Sequence, residues 1–342
     1  MRIASIAQST QRPSLRGLLA VAVLLLLPPL VLENNGYLLR VATLTLMYAG
    51  LGGAWNLLGG FAHQISLGHA AFFGLGAYTS TILLRDLGLS PWIGMNVAAA
   101  VAGLASFIIG IPTFRLRGHY YALGTLAFAE VLRILFLYFR SFTGGAIGLS
   151  VPYMGDSFWY FQFYGNRPYY FIALAMLALT MYITHRVSTG PLGYRLRALR
   201  NSHEAAEVVG VDTTRAKLQA NFLSAVLTGA YGTFYAQYHF FIDPDTVFGL
   251  MTFSVKMALI AILGGLGNVW GPLVGAAILV PLDEWTNAAF TGGLAGASRF
   301  IYGSLLIVLI LWQPRGLLYW ADRSLERLRE RRAAAVGEGV RS

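Results

Sequence analysis

The chain has 342 residues, of which 56% are hydrophobic and 12% are charged. Soluble domains carry about 25% charged residues, so this composition, with a mean hydropathy of +0.59, predicts an all-α integral membrane protein. The net charge of +10 does not indicate nucleic-acid binding, because no basic stripe belongs to a nucleic-acid-binding fold. The absence of cysteine excludes a disulfide framework, thiol chemistry and a cysteine-ligated metal site.

Apolar segments recur along the chain and predict about ten transmembrane helices, with a range of eight to ten. The segment at 253–265 and the one at 270–281 are rich in small residues. They are compatible with two spans, one short span or a broken hairpin. The predicted spans are residues 17–32, 38–58, 61–84, 92–114, 119–139, 168–184, 218–242, 253–265, 270–281 and 300–313.

The positive charges fall mainly on one side of this arrangement. With ten spans, eighteen Lys and Arg lie on the side of the N-terminus and five lie on the other side. The positive-inside rule therefore places both termini in the cytoplasm. This gives a cytoplasmic segment at 1–16, a transmembrane domain at 17–314 and a basic tail at 315–342, predicted to be helical at the membrane surface.

A polar break at residues 188–217 separates two apolar regions. Charged and apolar residues alternate there, which predicts one or two short amphipathic helices, with Leu196, Leu199, Ala205, Val208 and Val209 as the apolar set. Gly210 is placed to end the first helix, and Thr213 and Thr214 are candidate caps of the following one. By charge alone, this segment is a solvated loop that obeys the positive-inside rule.

The order of residues in the polar break resembles a known sequence motif. Glu204-Ala205-Ala206, followed after three residues by Gly210, resembles the first half of the EAA loop of ABC importer permeases. The usual second half is absent, since 220–223 reads Ala-Asn-Phe-Leu. The resemblance implies a coupling loop on which an ATPase docks, with small residues allowing close approach. Its predicted residues are Arg195, Arg197, Arg200, Glu204, Ala205, Ala206 and Gly210.

Small and polar residues crowd the stretch 59–78, GGFAHQISLGHAAFFGLGAY. Small residues let helix backbones approach closely, and polar groups at membrane depth must face protein or water. The stretch therefore either flanks a translocation pathway or packs helices together. His63 and His69 are six residues apart, on different helix faces, and do not predict a metal pair. The candidate residues are Asn56, Gln64, Ser66, Gly68, His69 and Gly74.

Two charged residues, Glu130 and Arg133, lie one helical turn apart in the fifth predicted span. A buried charge costs roughly 2.5–3.5 kcal/mol on insertion scales, so we expect the two to pair with each other or with a neighbouring helix. A structural pair is favoured over a substrate contact. Lys256, near the outer end of a later span, is predicted to snorkel to the membrane surface.

Glycines mark two further positions. Thr143, Gly144 and Gly145 predict a tight turn at the outer mouth, the alternative being backbone N–H groups offered to substrate. The series Gly267, Gly271 and Gly275 predicts a helix-packing face, directed at a sister subunit.

The segment SLGHAAFFGLGAY closely resembles the signature of LivM-type permeases of branched-chain amino acid ABC transporters. Further blocks match in order between residues 56 and 316: LRGHYYALGTLAFAEVLRI, FTGGAIGLS, the polar break and ILGGLGNVWGPLVGAAIL. The resemblance implies a type II-like importer permease of the bacterial inner membrane. Its partners would be a LivH-type sister permease, two cytoplasmic ATPases and a periplasmic substrate-binding protein. The cargo would be a branched-chain amino acid, urea, an amide or an aromatic acid.

Missing motifs support this division of labour. The sequence contains no G-x-x-x-x-G-K-[ST], so ATP and Mg²⁺ are predicted to bind the partner ATPases and not this chain. It contains no G-x-S-x-G and no H-E-x-x-H, so we predict a transport subunit and not an enzyme. The alternative function is a self-contained secondary transporter or channel driven by an ion gradient, although Glu130 is the only acidic residue well inside a span. An integral membrane enzyme is a third, weaker alternative.

Overall fold

The computed structural model describes residues 25–31, 35–116 and 118–290, with scattered residues between 300 and 318. The predicted cytoplasmic segment 1–16 and nearly all of the tail 315–342 lie outside the described residues, as do more than half of the first predicted span and half of the last. Ten α-helices of six residues or more are described: α1 Gly36–Gly59, α2 His69–Leu87, α3 Pro91–Thr113, α4 His119–Tyr138, α5 Asn166–Thr189, α6 Pro191–Asn201, α7 His203–Val208, α8 Thr213–His239, α9 Lys256–Gly264 and α10 Gly271–Ala289.

Shorter elements complete the described chain. Three single helical turns lie at Pro28–Val31, Arg140–Thr143 and Pro244–Val247, and a 3₁₀ turn lies at Gly145–Ile147. A π-helical segment, Leu250–Val255, leads into α9. Strands β1 (Leu149–Ser150) and β2 (Phe241–Ile242) pair antiparallel, with Leu149 opposite Ile242.

Among the described residues, five segments are long and apolar enough to cross a membrane: Gly36–Gly59, Pro91–Thr113, His119–Tyr138, Asn166–Thr189 and Pro244–Gly264. They differ greatly in burial. The most apolar window of α1 is 89% buried within the protein, whereas that of α4 is only 17% buried. Helix α1 is therefore central, and α4 lies at the periphery.

Helices α2 and α8 are not among the five apolar segments, although both run through the bundle. Helix α8 packs against α1, α2 and α3, and it carries polar residues such as Asn221, Ser224 and Gln237 that are almost fully buried. An inner helix needs no lipid-compatible surface, because its polar groups bond to neighbouring helices.

Close approach of α2 and α8 depends on glycine. A Cβ on Gly76 would collide with the carbonyl oxygen of Gly229, and one on Gly232 with that of Phe73. The predicted Gly267–Gly275 series works differently from expectation. Gly271 and Gly275 are in α10 but pack on α9 of the same chain, where a Cβ on Gly275 would meet the carbonyl of Ile260. The predicted helix-packing face is thus confirmed for Gly271 and Gly275, but it is directed at this chain and not at a sister subunit, and Gly267 lies in the preceding loop with φ +74°.

The bundle has two distinct ends. The end with β1 and β2 is called the sheet end, and there the Asn166 amide donates to the carbonyl of Gly36. The opposite end, where α6 and α7 cover the last turn of α1 and the first turn of α8, is called the hairpin end. The predicted short helices are thus two, α6 and α7, and Gly210, with φ +82°, follows the second of them.

Two predicted boundaries were wrong for local reasons. The span predicted from residue 61 begins as helix α2 only at His69, because the chain turns at Gly60 and His63 takes φ +55°. Helix α8 is capped by Asp212, whose Oδ1 accepts from the Arg215 N–H at 2.9 Å, and not by Thr213 or Thr214.

Candidate functional site

Helices α6 and α7 form a hairpin with one buried face. Leu196 and Leu199 of α6 are buried together with Ala206 of α7. The two leucines belong to one apolar cluster at the hairpin end: Leu58, Phe61, Ala62, Phe114, Tyr121, Leu196, Leu199, Ala216 and Ala220. The hairpin is therefore a fixed part of the bundle and not a solvated loop.

The opposite face of the hairpin is exposed and apolar at its tip. Val208 is 86% exposed and Val209 is 76% exposed, beside the exposed Glu204, Ala205 and Gly210. The sequence pattern predicted both valines on the apolar side of a helix. Helix α7 ends at Val208, however, and both valines are exposed. Exposed aliphatic side chains on a polar end of a membrane protein are typical of a protein-binding surface.

The three predicted arginines do not share one surface. Arg197 donates to the Ser188 carbonyl at 2.9 Å, and its guanidinium lies 4.6 Å from the centre of the Tyr194 ring. Arg200 lies beside the loop before α10, since a Cβ on Gly267 would come within 2.6 Å of its Nη1. Arg195 is exposed. Arg197 thus also holds the hairpin to the end of α5.

Hydrogen bonds connect α7 directly to α8. The Ser202 hydroxyl caps α7 by accepting from the Ala205 N–H at 3.2 Å. The Thr213 hydroxyl donates to Glu207 at 2.9 Å, and Lys217 Nζ lies 2.9 Å from His203 Nε2. A displacement of α7 is therefore expected to move the first turns of α8 with it.

His69, at the first turn of α2, is fully buried and joins three parts of the chain. Its Nδ1 lies 2.9 Å from Ser66 Oγ, and its Nε2 lies 2.8 Å from Ser224 Oγ of α8. Ser224 donates its own proton to the Ala54 carbonyl of α1 at 2.6 Å, so it accepts from His69. The ring is thus the neutral Nε2–H tautomer, with Nδ1 accepting from Ser66.

The other predicted pathway residues mostly make packing contacts. Asn56 holds the loop before α10, donating to the Asn268 carbonyl at 2.9 Å and accepting from the Gly267 N–H at 3.0 Å. Gly68 lets the chain approach α4, since a Cβ there would come within 2.5 Å of the Thr125 carbonyl. Gly74 faces the Phe248 ring, and Gln64 is half-buried.

The structure places Glu130 and Arg133 in contact and adds a third residue. Arg133 donates to Glu130, with the shortest distance 2.5 Å, and its Nη1 also bonds to Asp245 in the turn that follows β2. We call these three residues the charged triad. Asp245 was not predicted, because it lies 112 residues away along the chain.

The outer-mouth residues form a closed turn. The Thr143 hydroxyl donates to the Phe139 carbonyl at 2.8 Å and accepts from the Gly145 N–H at 3.3 Å, while the Gly144 N–H bonds to Arg140. Gly144 and Gly145 have φ of +75° and +57°, which glycine adopts without strain. Both backbone N–H groups are thus used within the turn and are not offered to substrate.

Lys256 does not snorkel as predicted. Its Nζ lies 2.6 Å from Asp283 of α10 and 4.1 Å from the centre of the Tyr48 ring, and the residue is 9% exposed. The Asp283 carboxylate and the Tyr48 ring thus bind the ammonium group inside the protein, so Lys256 does not need to reach water at the membrane surface. The described residues contain no group of three or more His, Asp or Glu arranged to hold a metal ion.

A family model described as the permease component of branched-chain amino acid transport systems matches residues 37–310. The chain is 31% identical over 325 residues to the high-affinity branched-chain amino acid transport system permease protein LivM of Salmonella typhimurium, covering 88% of this chain and 74% of that protein. It is also 31% identical over 322 residues to LivM of Escherichia coli, covering 87% and 73%.

The similarity extends to a second type of permease. The chain is 23% identical over 294 residues to the branched-chain amino acid permease protein LivH of Escherichia coli, covering 81% of this chain and 92% of that protein. No solved structure matches the chain.

Proposed function

Since the chain belongs to the family of branched-chain amino acid transport permeases, we propose that it is the transmembrane permease subunit of an ABC importer. It would form, with a LivH-type sister permease, the pathway for branched-chain amino acids or similar small polar substrates. ATP and Mg²⁺ would bind two partner ATPases in the cytoplasm, and a periplasmic binding protein would deliver the substrate. The whole complex would lie in a bacterial inner membrane.

The observation that carries the coupling role is the two-sided hairpin. One face is fixed to the bundle by Leu196 and Leu199, and the other exposes Val208 and Val209 next to Glu204. An apolar tip beside a carboxylate fits a cleft that has an apolar floor and a basic or polar rim. We propose that the ATPases hold the hairpin in such clefts.

A mechanical route follows from the contacts of α7. Closure of the ATPases on ATP would displace α7, which bonds to the first turns of α8 through Thr213 and Lys217. Helix α8 bonds to His69 at the start of α2 through Ser224. Movement at the hairpin end would thereby tilt α2 and alternate the access of the pathway. The connections 140–167 and 243–248 at the sheet end would receive the loaded binding protein.

The alternative, a secondary transporter driven by an ion gradient, has less support. Its coupling site would need a titratable or ion-binding group at membrane depth. Two acidic residues within the described helices, Glu130 and Asp283, are each paired with a basic residue. The named relatives given above are permeases of transport systems, which favours the importer.

Co-purification from native membranes in mild detergent tests the proposal. The wild-type chain is expected to bring down an ATPase and a second permease, and Glu204→Arg is expected to lose the ATPase. Asp86→Arg is the matched control, because Asp86 is an exposed acid at the opposite end of the bundle. It should keep both partners. A chain that purifies alone and transports without ATP in liposomes would refute the importer function.

A further inference from the structure

The charged triad lies on the least buried of the long helices. Helix α4 contacts few neighbours, and the side chains of its two charged residues are partly exposed, Arg133 by 27% and Glu130 by 49%. The side chain of Asp245, which contacts Arg133, is 63% exposed. Glu130 is the twelfth of twenty helical residues, so it lies near mid-depth of a helix about 30 Å long. Two partly exposed ionic groups thus lie in the central part of a membrane-spanning helix, and the third, Asp245, contacts Arg133 from the turn that follows β2.

Lipid is a poor neighbour for such a face. Charged side chains within membrane spans almost always face a protein interior or a water-filled cavity. Helix α3 offers the contrast, since its exposed face carries Leu104, Ile108 and Ile111 and no charged residue. The exposed face of α3 is suited to lipid, whereas the triad face of α4 is suited to water.

The arrangement of charge in the triad also suggests a ligand. One guanidinium lies between two carboxylates, so the triad has a net charge of −1. Glu130 and Asp245 are exposed and have lone pairs beyond those that bond Arg133, and a guanidinium has five N–H donors. Both an ammonium group and a carboxylate group therefore find partners within the triad.

We propose that the triad face of α4 borders the aqueous pathway and that the triad binds the zwitterionic head of the transported amino acid. The substrate ammonium donates to Glu130 and Asp245, and its carboxylate accepts from Arg133 as the substrate leaves the sheet end. The inference rests on the proposed importer function and adds to it the site that recognises charge. Urea and other uncharged cargo could hydrogen-bond to the triad but would form no ion pair with it.

Thiol labelling tests the water-filled face, and the natural absence of cysteine makes single-cysteine variants unambiguous. Ala127→Cys lies on the triad face, one turn before Glu130, and is exposed. Leu104→Cys lies at matching depth on the exposed face of α3. With a membrane-impermeant maleimide on the assembled complex, we expect Ala127→Cys to react at least about tenfold faster, because a thiol in lipid does not ionise.

Uptake of leucine by the reconstituted complex tests recognition. Arg133→Gln, Glu130→Gln and Asp245→Asn are each expected to lower kcat/KM for uptake by about tenfold, the loss expected for one charge-assisted hydrogen bond. Assembly with the ATPases and thermal stability of the complex should stay as in the wild type, which a purely structural pair would not predict. Asp86→Asn removes an exposed acid of the Arg85–Asp86 pair and should transport normally.

The outcomes separate cleanly. ATP-driven uptake by the wild type supports the importer function whatever the variants do. If Ala127→Cys is labelled but the triad variants transport normally, the substrate contact is refuted. If Ala127→Cys is as unreactive as Leu104→Cys, or forms a disulfide with a cysteine placed in the sister permease, the face contacts lipid or protein and the whole inference is refuted.

Discussion

At the scale of single residues, the buried polar groups act as joints between segments. His69 receives one hydroxyl through Nδ1 and donates to another through Nε2, so both ring nitrogens are satisfied without charge. The Trp55 indole adds a bond of 2.8 Å to the Ser66 carbonyl. The start of α2 is thereby fixed to α1 and α8 at once.

Replacing His69 with alanine should lower the free energy of unfolding by about 1–3 kcal/mol, because the hydroxyls of Ser66 and Ser224 each lose a buried partner. The melting temperature of the detergent-solubilised protein measures this loss. His63→Asn is the matched control. His63 is exposed, and asparagine tolerates its φ of +55°, so stability should change by less than about 0.5 kcal/mol. Equal melting temperatures for the two variants would contradict a joining role for His69.

At the scale of elements, the α6–α7 hairpin divides two tasks between its faces. Its buried face contributes to an apolar cluster that includes the ends of α1 and α3, and its exposed tip carries two valines. The same element thus depends on this chain for its position and is available to a partner for binding.

Leu199→Ala and Val208→Ala should therefore have opposite effects. Leu199→Ala leaves a cavity in the cluster and should cost roughly 2 kcal/mol of stability, with ATPase binding weakened only as far as the hairpin loosens. Val208→Ala should leave the melting temperature unchanged and reduce the fraction of ATPase recovered on co-purification. If Val208→Ala lowers stability and spares ATPase binding, the tip is not the docking surface.

At the scale of the whole molecule, two polar helices of the bundle lie in the interior and most of the long apolar helices lie at the surface. The polar helices α2 and α8 are inside, where their hydroxyl and amide groups find partners, and the more apolar α3, α4 and α5 are exposed. The bundle is asymmetric along its axis as well, with a basic hairpin end and an aromatic sheet end.

This asymmetry predicts one orientation in the membrane. In the natural cysteine-free background, and in membranes that lack the partner ATPases, Val208→Cys at the hairpin end should be labelled by an impermeant thiol reagent only from the cytoplasmic side. Tyr164→Cys, at a residue that is 94% exposed near the sheet end, should be labelled only from the opposite side. Spheroplasts and inverted vesicles provide the two directions of access. Labelling of both from one side would contradict the predicted orientation.

The sequence by itself determined the membrane class, the approximate positions of the described helices and the family. Apolar runs, charge asymmetry and ordered motifs are local properties, so they can be read without knowing which helices touch. The predicted Glu130–Arg133 contact belongs to this group, because residues that are three positions apart in a helix are neighbours on its surface.

Only the tertiary structure decided which distant groups meet. Asp245 joins Arg133 across 112 residues, Ser224 bonds His69 across 155, and Asp283 neutralises Lys256 from a neighbouring helix. No sequence period encodes these pairings, because they result from how helices cross and not from spacing within one helix. The same reason explains two of the predictions that were wrong. The half-buried carboxylate of Asp283 removed the need for Lys256 to snorkel, and the glycines of α10 pack against α9 of the same chain.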